Sequence, residues 1–267
     1  MRRAATPVGT SDRIALIRMI SVMHAVVLRD IRSRYFNHGL GFLMGPIMPV
    51  AHMLILLLIY SFTGRNAVFG EDLALFFATG LVPALTFSYI SRYMSISVVA
   101  NKNMLAFPAV KLIDIMLARS FLEIIGIVLA TLFIGTILVA TGSNVVPRSP
   151  EQALLAMACT AALSIGVGII ASVIAAIFPF FAMIYSLFMV VVYLSSNAPI
   201  YITSFPEEVI YFCSFNPVFH LVEWMRSAYY LGYPTQYLDK TYVMMWCILT
   251  LPIGLLLERL LRPQIMN

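Results

Sequence analysis

Between Glu151 and Glu207 the chain carries no Asp, Glu, Lys or Arg, and the same is true of residues 124–147 and 241–257. About 20 apolar residues are needed to cross roughly 30 Å of hydrocarbon as a helix, and a charge at the centre of such a helix costs about 2.5 to 3.5 kcal/mol on the insertion scale. Runs this long and this free of charge predict a bilayer-embedded, all-α polytopic protein. Composition agrees: of 267 residues 61% are hydrophobic and 11% charged, against roughly a quarter charged in an ordinary soluble domain. No separate soluble domain has room to fold, so the chain reads as a single transmembrane domain.

Charge-free windows place six spans at about 41–61, 73–92, 115–141, 152–177, 180–198 and 241–260, with Phe178-Pro179-Phe180 as the turn of the hairpin between the fourth and fifth. The apolar run near Gly41 comes too late and is too long for a cleaved signal peptide, so the basic N-terminal segment is expected to be retained. Six spans put both termini on one side. With that side cytoplasmic, only Arg65, Arg148, Arg226 and Lys240 of the 17 Lys and Arg residues lie outside, as the positive-inside rule requires. The net charge of +5 then reflects topology, not a nucleic-acid partner.

Two segments are not spans. Residues 1–36 form a cytoplasmic tail and an amphipathic interfacial helix: Arg13, Arg18, Ser21, His24, Arg29 and Arg32 share one face, Leu16, Met19, Ile20, Val22, Met23, Val26 and Val27 the other, with Ser11 or Asp12 as the cap. Its arginines suit anionic headgroups or a protein partner. Residues 198–236 are too polar to span and too apolar for a solvated loop, which predicts a periplasmic re-entrant segment. Asn216 followed by Pro217 is a helix start, and beyond it His220, Glu223, Ser227 and Tyr230 recur at helical spacing, bordering a pathway or closing a Glu223–Arg226 pair.

No constellation for catalysis stands out. HExxH, GxSxG and GxxxxGK[ST] are all absent. The three cysteines lack metal or redox spacing and read as small buried hydrophobes; no metal site is expected. Of four scattered histidines, His52 falls inside the first span, where a hydrogen bond to a neighbouring helix is the expected role. Glu123 is the main intramembrane acid, and Arg119 one turn before it is the partner expected to neutralise it. Lys111 and Asp114 precede the expected membrane boundary as a pair offered to a partner. Spans this empty of charge form a pathway without an engine, because secondary transporters place ionisable groups deep in their spans.

Three motifs carry a family likeness. RDIRSRYFNHGLGFLMGPIMPV, residues 29–50, resembles the entrance of type-2 ABC exporter permeases, although Met44 stands where the family has tryptophan; NPVFHLVEWMRSAYY, residues 216–230, resembles their Asn-Pro, His, Glu and Arg pattern before the last span. FPAVKLIDIMLARSFLE, residues 107–123, is similar to the cytoplasmic loop of the capsular polysaccharide export branch. The resemblance implies a homodimer in the bacterial inner membrane, joined to two separate ATP-binding cassette subunits that use ATP and Mg, with no cofactor bound by this chain. It implies export of a lipid-linked polysaccharide, with a periplasmic adaptor and an outer-membrane channel as further partners.

Carried onto this sequence, the ATPase-coupling residues are Arg29, Asp30, Arg32 and Arg34 on the interfacial helix and Asn101, Lys102, Asn103, Pro108 and Lys111 on the loop after span two. The re-entrant residues are Asn216, Pro217, His220, Glu223 and Arg226. A sliding polymer needs aromatic faces and weak polar contacts, not a tight pocket; Tyr35, Phe36, Tyr89, Arg92, Tyr93, Tyr193 and Tyr201 are the candidate translocation path. The sequence leaves open another cargo (O-antigen, teichoic acid or a hydrophobic drug), an intramembrane lipid or sugar transferase, and a membrane scaffold.

Overall fold

The computed structural model describes residues 8–34, 44–62 and 67–266. Its main helices are α1 (Val8–Arg34), α2 (Met44–Phe62), α3 (Leu73–Ser95), the single turn α4 (Ser97–Ala100), α5 (Leu112–Ala140), α6 (Pro150–Ile177), α7 (Phe181–Leu194), α8 (Glu207–Ser214), α9 (Pro217–Tyr229) and α10 (Lys240–Met266). Strands are absent among the described residues. Four helices, α3, α5, α6 and α10, are long and apolar enough to cross a membrane, and two shorter apolar stretches lie at Gly45–Tyr60 and Phe181–Leu194. The hairpin turn falls where expected, with α6 ending at Ile177 and α7 starting at Phe181.

Local chemistry sets several boundaries. Asp72 caps α3, its carboxylate accepting the N–H groups of Ala74 and Leu75 at 2.8 and 3.1 Å. Asn216 caps α9 by accepting the Val218 N–H at 3.0 Å, with Pro217 in the first turn. Two expectations need correction. Helix α1 begins at Val8, so Ser11 and Asp12 lie within it and neither is its cap. Helix α5 begins at Leu112, and Asp114 is buried in its first turn, accepting the Lys111 N–H at 3.1 Å. Asp114 therefore secures a helix start and is not offered to a partner.

Helix α6 is the central post, packed against both α3 and α10. Small residues permit this: a Cβ on Gly168 would come within 2.7 Å of Met94 Sδ, and one on Gly254 within 3.0 Å of the Ile169 side chain. At one end of the bundle Met94, Val98, Leu112, Met116 and Val173 form a core that Leu257, Leu261 and Ile265 of α10 complete. Helix α1 is fixed at that same end by Val26, which is 1% exposed and packs on Val110, Ile115 and Ala118. Leu16, Ile17 and Ile20 on its N-terminal half remain exposed.

At the opposite end α9 enters the bundle. Every residue from Val218 to Arg226 is buried, and Val218, Leu221 and Val222 join the main core with Leu81, Ala84 and Leu163. From Val218 to Arg226 this helix is surrounded by protein. The expected two-faced helix bordering a pathway is thereby corrected: His220, Glu223 and Arg226 face packed protein.

Candidate functional site

The coupling residues expected from sequence meet at a junction of α1, α4 and α5. Asn101, 3% exposed, accepts the Arg29 guanidinium at 2.8 Å and donates to the Ser97 carbonyl at 2.9 Å. Asp30 receives Arg119 at 3.2 Å, and Arg119 also pairs with Glu123 one turn on. The Arg119–Glu123 pairing was legible; the longer bond to Asp30 was not. Asp30 and Asn101 hold the junction from inside, so neither is a surface contact for a partner. Arg32, Lys102, Asn103, Pro108 and Lys111 are exposed on its outer side. Arg29, Asp30, Tyr93, Asn101 and Arg119 line a small cleft of about 90 Å³.

A larger cavity of about 340 Å³ lies between α2, α3 and α7. Three expected path residues line it, Tyr89, Arg92 and Tyr193, together with His52, Ser88 and Ser186. The His52 ring shares a 2.8 Å hydrogen bond with the Tyr193 hydroxyl, the interhelical role expected for it. The hydroxyls of Ser88 and Ser186 donate to carbonyls of their own helices, Ala84 and Ala182. Arg92 lies over the rings of Tyr89 and Tyr93, 5.8 and 5.1 Å from their centroids, an arrangement that holds a cation by the ring quadrupole. Leu85, Met189, Val190 and Leu194 complete the wall, which is mostly apolar, with the Tyr89 and Tyr193 rings and one cation set into it.

Arg92, which lines the cavity, and Arg119, at the junction, share the ring of Tyr93, lying 5.1 and 4.9 Å from its centroid. Tyr201 is elsewhere, against Phe76 at the far end of α3. Tyr35 and Phe36, and the side chain of Arg34, lie outside the described residues.

A second polar cluster locks α9. Glu223 Oε1 accepts Asn197 Nδ2 at 2.6 Å and the Tyr233 hydroxyl at 2.8 Å, and faces Arg226 Nη1 at 3.7 Å. Asn197, at φ +63°, also accepts the Ile202 N–H, which fixes the chain between α7 and α8; Asn is among the few residues at ease in that conformation. Arg226 is 0% exposed, and its guanidinium sits 4.2 Å from the Phe76 centroid and 5.5 Å from that of Tyr201. Gly80 makes room for it: a Cβ there would meet Arg226 Nη2 at 2.7 Å. His220 bonds the Ser214 carbonyl at 2.8 Å through Nε2 and receives the Asp239 N–H at 3.2 Å, tying α9 to the segments on either side of it. Among the residues that sequence reasoning missed, Asn197 and Tyr233 stand in loops without periodicity, and only Glu223, expected to border a pathway or to pair with Arg226, could have prompted a search for its donors.

Among the described residues no group of His, Cys, Asp and Glu could hold a metal ion. Residues 22–230 match the ABC-2 type transporter family. The chain is 30% identical to the polysialic acid transport protein KpsM of Escherichia coli, over 89% of this chain and 92% of that protein. It is 26% identical to the capsule polysaccharide export inner-membrane protein CtrC of Neisseria meningitidis, over 92% and 93% of the two chains. To the Haemophilus influenzae protein of the same description, BexB, it is 24% identical over 78% and 79%. With the family matched across most of the sequence and these relatives aligned nearly end to end, the chain belongs to the ABC-2 type transporter membrane proteins.

Proposed function

We propose that this chain is the membrane-spanning subunit of an ATP-driven exporter that moves a lipid-linked capsular polysaccharide across the bacterial inner membrane. Two copies pair, each served by an ATP-binding cassette subunit, and a periplasmic adaptor and outer-membrane channel receive the polymer. In this reading α2 and α7 complete a six-span topology with α3, α5, α6 and α10, and both termini are cytoplasmic. The junction of α1 with α4 and α5 then faces the ATPase, while α8 and α9 lie toward the periplasm.

The observation that carries this reading is that Arg92 of the cavity and Arg119 of the junction lie over the same Tyr93 ring. Movement of the exposed 102–111 loop would act on the buried ties among Arg29, Asn101, Asp30 and Arg119, and from there on the Tyr93 ring that Arg92 covers. Arg92, Tyr89 and Tyr193 would touch the cargo transiently, the cation meeting acidic groups and the rings meeting sugar faces. The names of the relatives, which specify polysialic acid and capsule polysaccharide, support an anionic polymer as cargo.

The test is removal of the gene followed by measurement of surface and intracellular polysaccharide. Loss from the surface with accumulation inside, restored by the intact gene, is expected, as is co-purification of a nucleotide-binding subunit. Unchanged surface polymer overturns the proposal.

A further inference from the structure

A second large cavity, about 320 Å³, lies away from the translocation path, enclosed by α3, α5, α6 and α9. Its wall is mostly apolar, with Val82, Ile134, Leu138, Ala153, Met157 and Met225 among its lining. Its volume reaches the lower end of the roughly 300 to 1,000 Å³ typical of ligand pockets. The two threonines that reach it have no donor left for a guest, because Thr79 donates to the Phe76 carbonyl at 2.8 Å and Thr131 to the Ile127 carbonyl at 2.9 Å, and the remaining lining is apolar apart from Tyr229. Ordered water needs two to four polar partners, so a wall of this kind is suited to hydrocarbon.

Position narrows the guest further. Leu138 stands near the C-terminal end of α5, while Ala153 and Met157 occupy the first two turns of α6. At 1.5 Å per residue the cavity therefore starts near the helix ends and reaches about 10 Å inward, the depth of the upper part of an acyl chain. Leu154 borders it and is 72% exposed, marking a mouth on the face that meets lipid. Just beyond, in the connection from α5 to α6, Arg148 is exposed at the level where a lipid phosphate would lie. On the inner side Met225 and Tyr229 of α9 line the wall, so a guest would bear directly on the buried helix.

Gly135 gives the cavity a sharper definition. It lines the space, and a Cβ built there meets no atom within 4 Å. The glycine is not demanded by close helix packing, and a larger side chain would extend into the void.

We propose that this cavity holds one acyl chain of an anionic membrane phospholipid, with the headgroup beside Arg148, as a wedge that steadies α9. The site is independent of the export reading and stands or falls without it.

The experiment compares wild type, Gly135→Leu and Leu154→Trp in lipid-free detergent and with added dioleoylphosphatidylglycerol, reading melting temperature and, by native mass spectrometry, retained lipid. Wild type should gain several degrees and keep one lipid per chain more than either variant. Gly135→Leu, which fills the cavity, and Leu154→Trp, which blocks its mouth from outside the core, should each lose that gain. Arg148→Gln should respond equally to phosphatidylglycerol and phosphatidylcholine. A lipid response in both filling variants equal to wild type overturns the proposal. So does a fall in dimer fraction in those variants with retained lipid unchanged, which would make the mouth a contact between copies.

Discussion

Asp30 on α1 and Arg119 on α5 stand 89 residues apart in the chain and 3.2 Å apart in the fold, with side chains 10% and 2% exposed. Removing one member of a buried ion pair costs about 3 to 5 kcal/mol, because the other charge is left in a poor solvent. Asp30→Ala is therefore expected to loosen α1, raising hydrogen exchange over residues 20–34 and lowering the melting temperature. Asp30→Asn, which keeps a hydrogen-bond acceptor, should fall between that variant and wild type. Equal exchange in all three would remove the pair from any role in holding α1.

Gly80 and Arg226 form a steric couple. Gly80→Ala puts a methyl where Nη2 already lies, with the Ala198 backbone 3.3 Å away on another side. It should destabilise by about 1 to 3 kcal/mol, the usual range for overpacking. The same change in an Arg226→Ala background should cost much less. A double-mutant cycle on melting temperature reads the coupling directly, and additive effects would show that the guanidinium does not set the need for glycine.

Arg92 and Tyr193 line the cavity, and Tyr193 also packs on the main core. Arg92→Ala should cost about 0.5 to 1 kcal/mol of stability, the worth of a cation–π contact at a partly exposed site, while surface polysaccharide falls several-fold. Arg92→Lys should recover part of the export. Tyr193→Phe removes the bond to His52 and should cost about 0.5 to 1.5 kcal/mol, the net worth of one hydrogen bond. Export that is unchanged in Arg92→Ala would take this cavity out of the path.

Lys102 and Lys111 lie on the exposed side of the junction. Charge reversal at both positions should reduce recovery of the nucleotide-binding subunit in a pull-down without shifting the melting temperature. A matched loss of stability would place these lysines in the fold instead of at a docking face.

Much of the architecture could be read from the chain because membrane insertion penalises charge so heavily. The starts of α3, α6 and α10, the Phe178 turn and the Asn216 cap follow from local rules that act within a few residues, whereas α10 continues through Pro263 to Met266, past its expected end near 260. What escaped had long-range causes. Nothing in the sequence near Asp30 announces Arg119, and Asp114 looked available only because its acceptor role toward the Lys111 N–H depends on where α5 starts. The polar residues of α9 have helical spacing that suggests two faces, yet Gly80 on α3 and Asn197 beyond α7 supply the space and the donor that let Arg226 and Glu223 be buried. The candidate site was legible as a list of aromatics; its division into a cavity with Arg92 and a distant lock around Tyr201 required the tertiary arrangement.

Two cations share the ring of Tyr93, one bordering the cavity and one belonging to the α1 junction. Neither guanidinium can shift without altering the electrostatic environment felt by the other through that ring. A turn of one side-chain torsion would change both contacts together, so cargo-side and partner-side events would be registered by a single internal coordinate. An aromatic reporter introduced as Tyr93→Trp would then respond in fluorescence to nucleotide at one end and to polymer at the other.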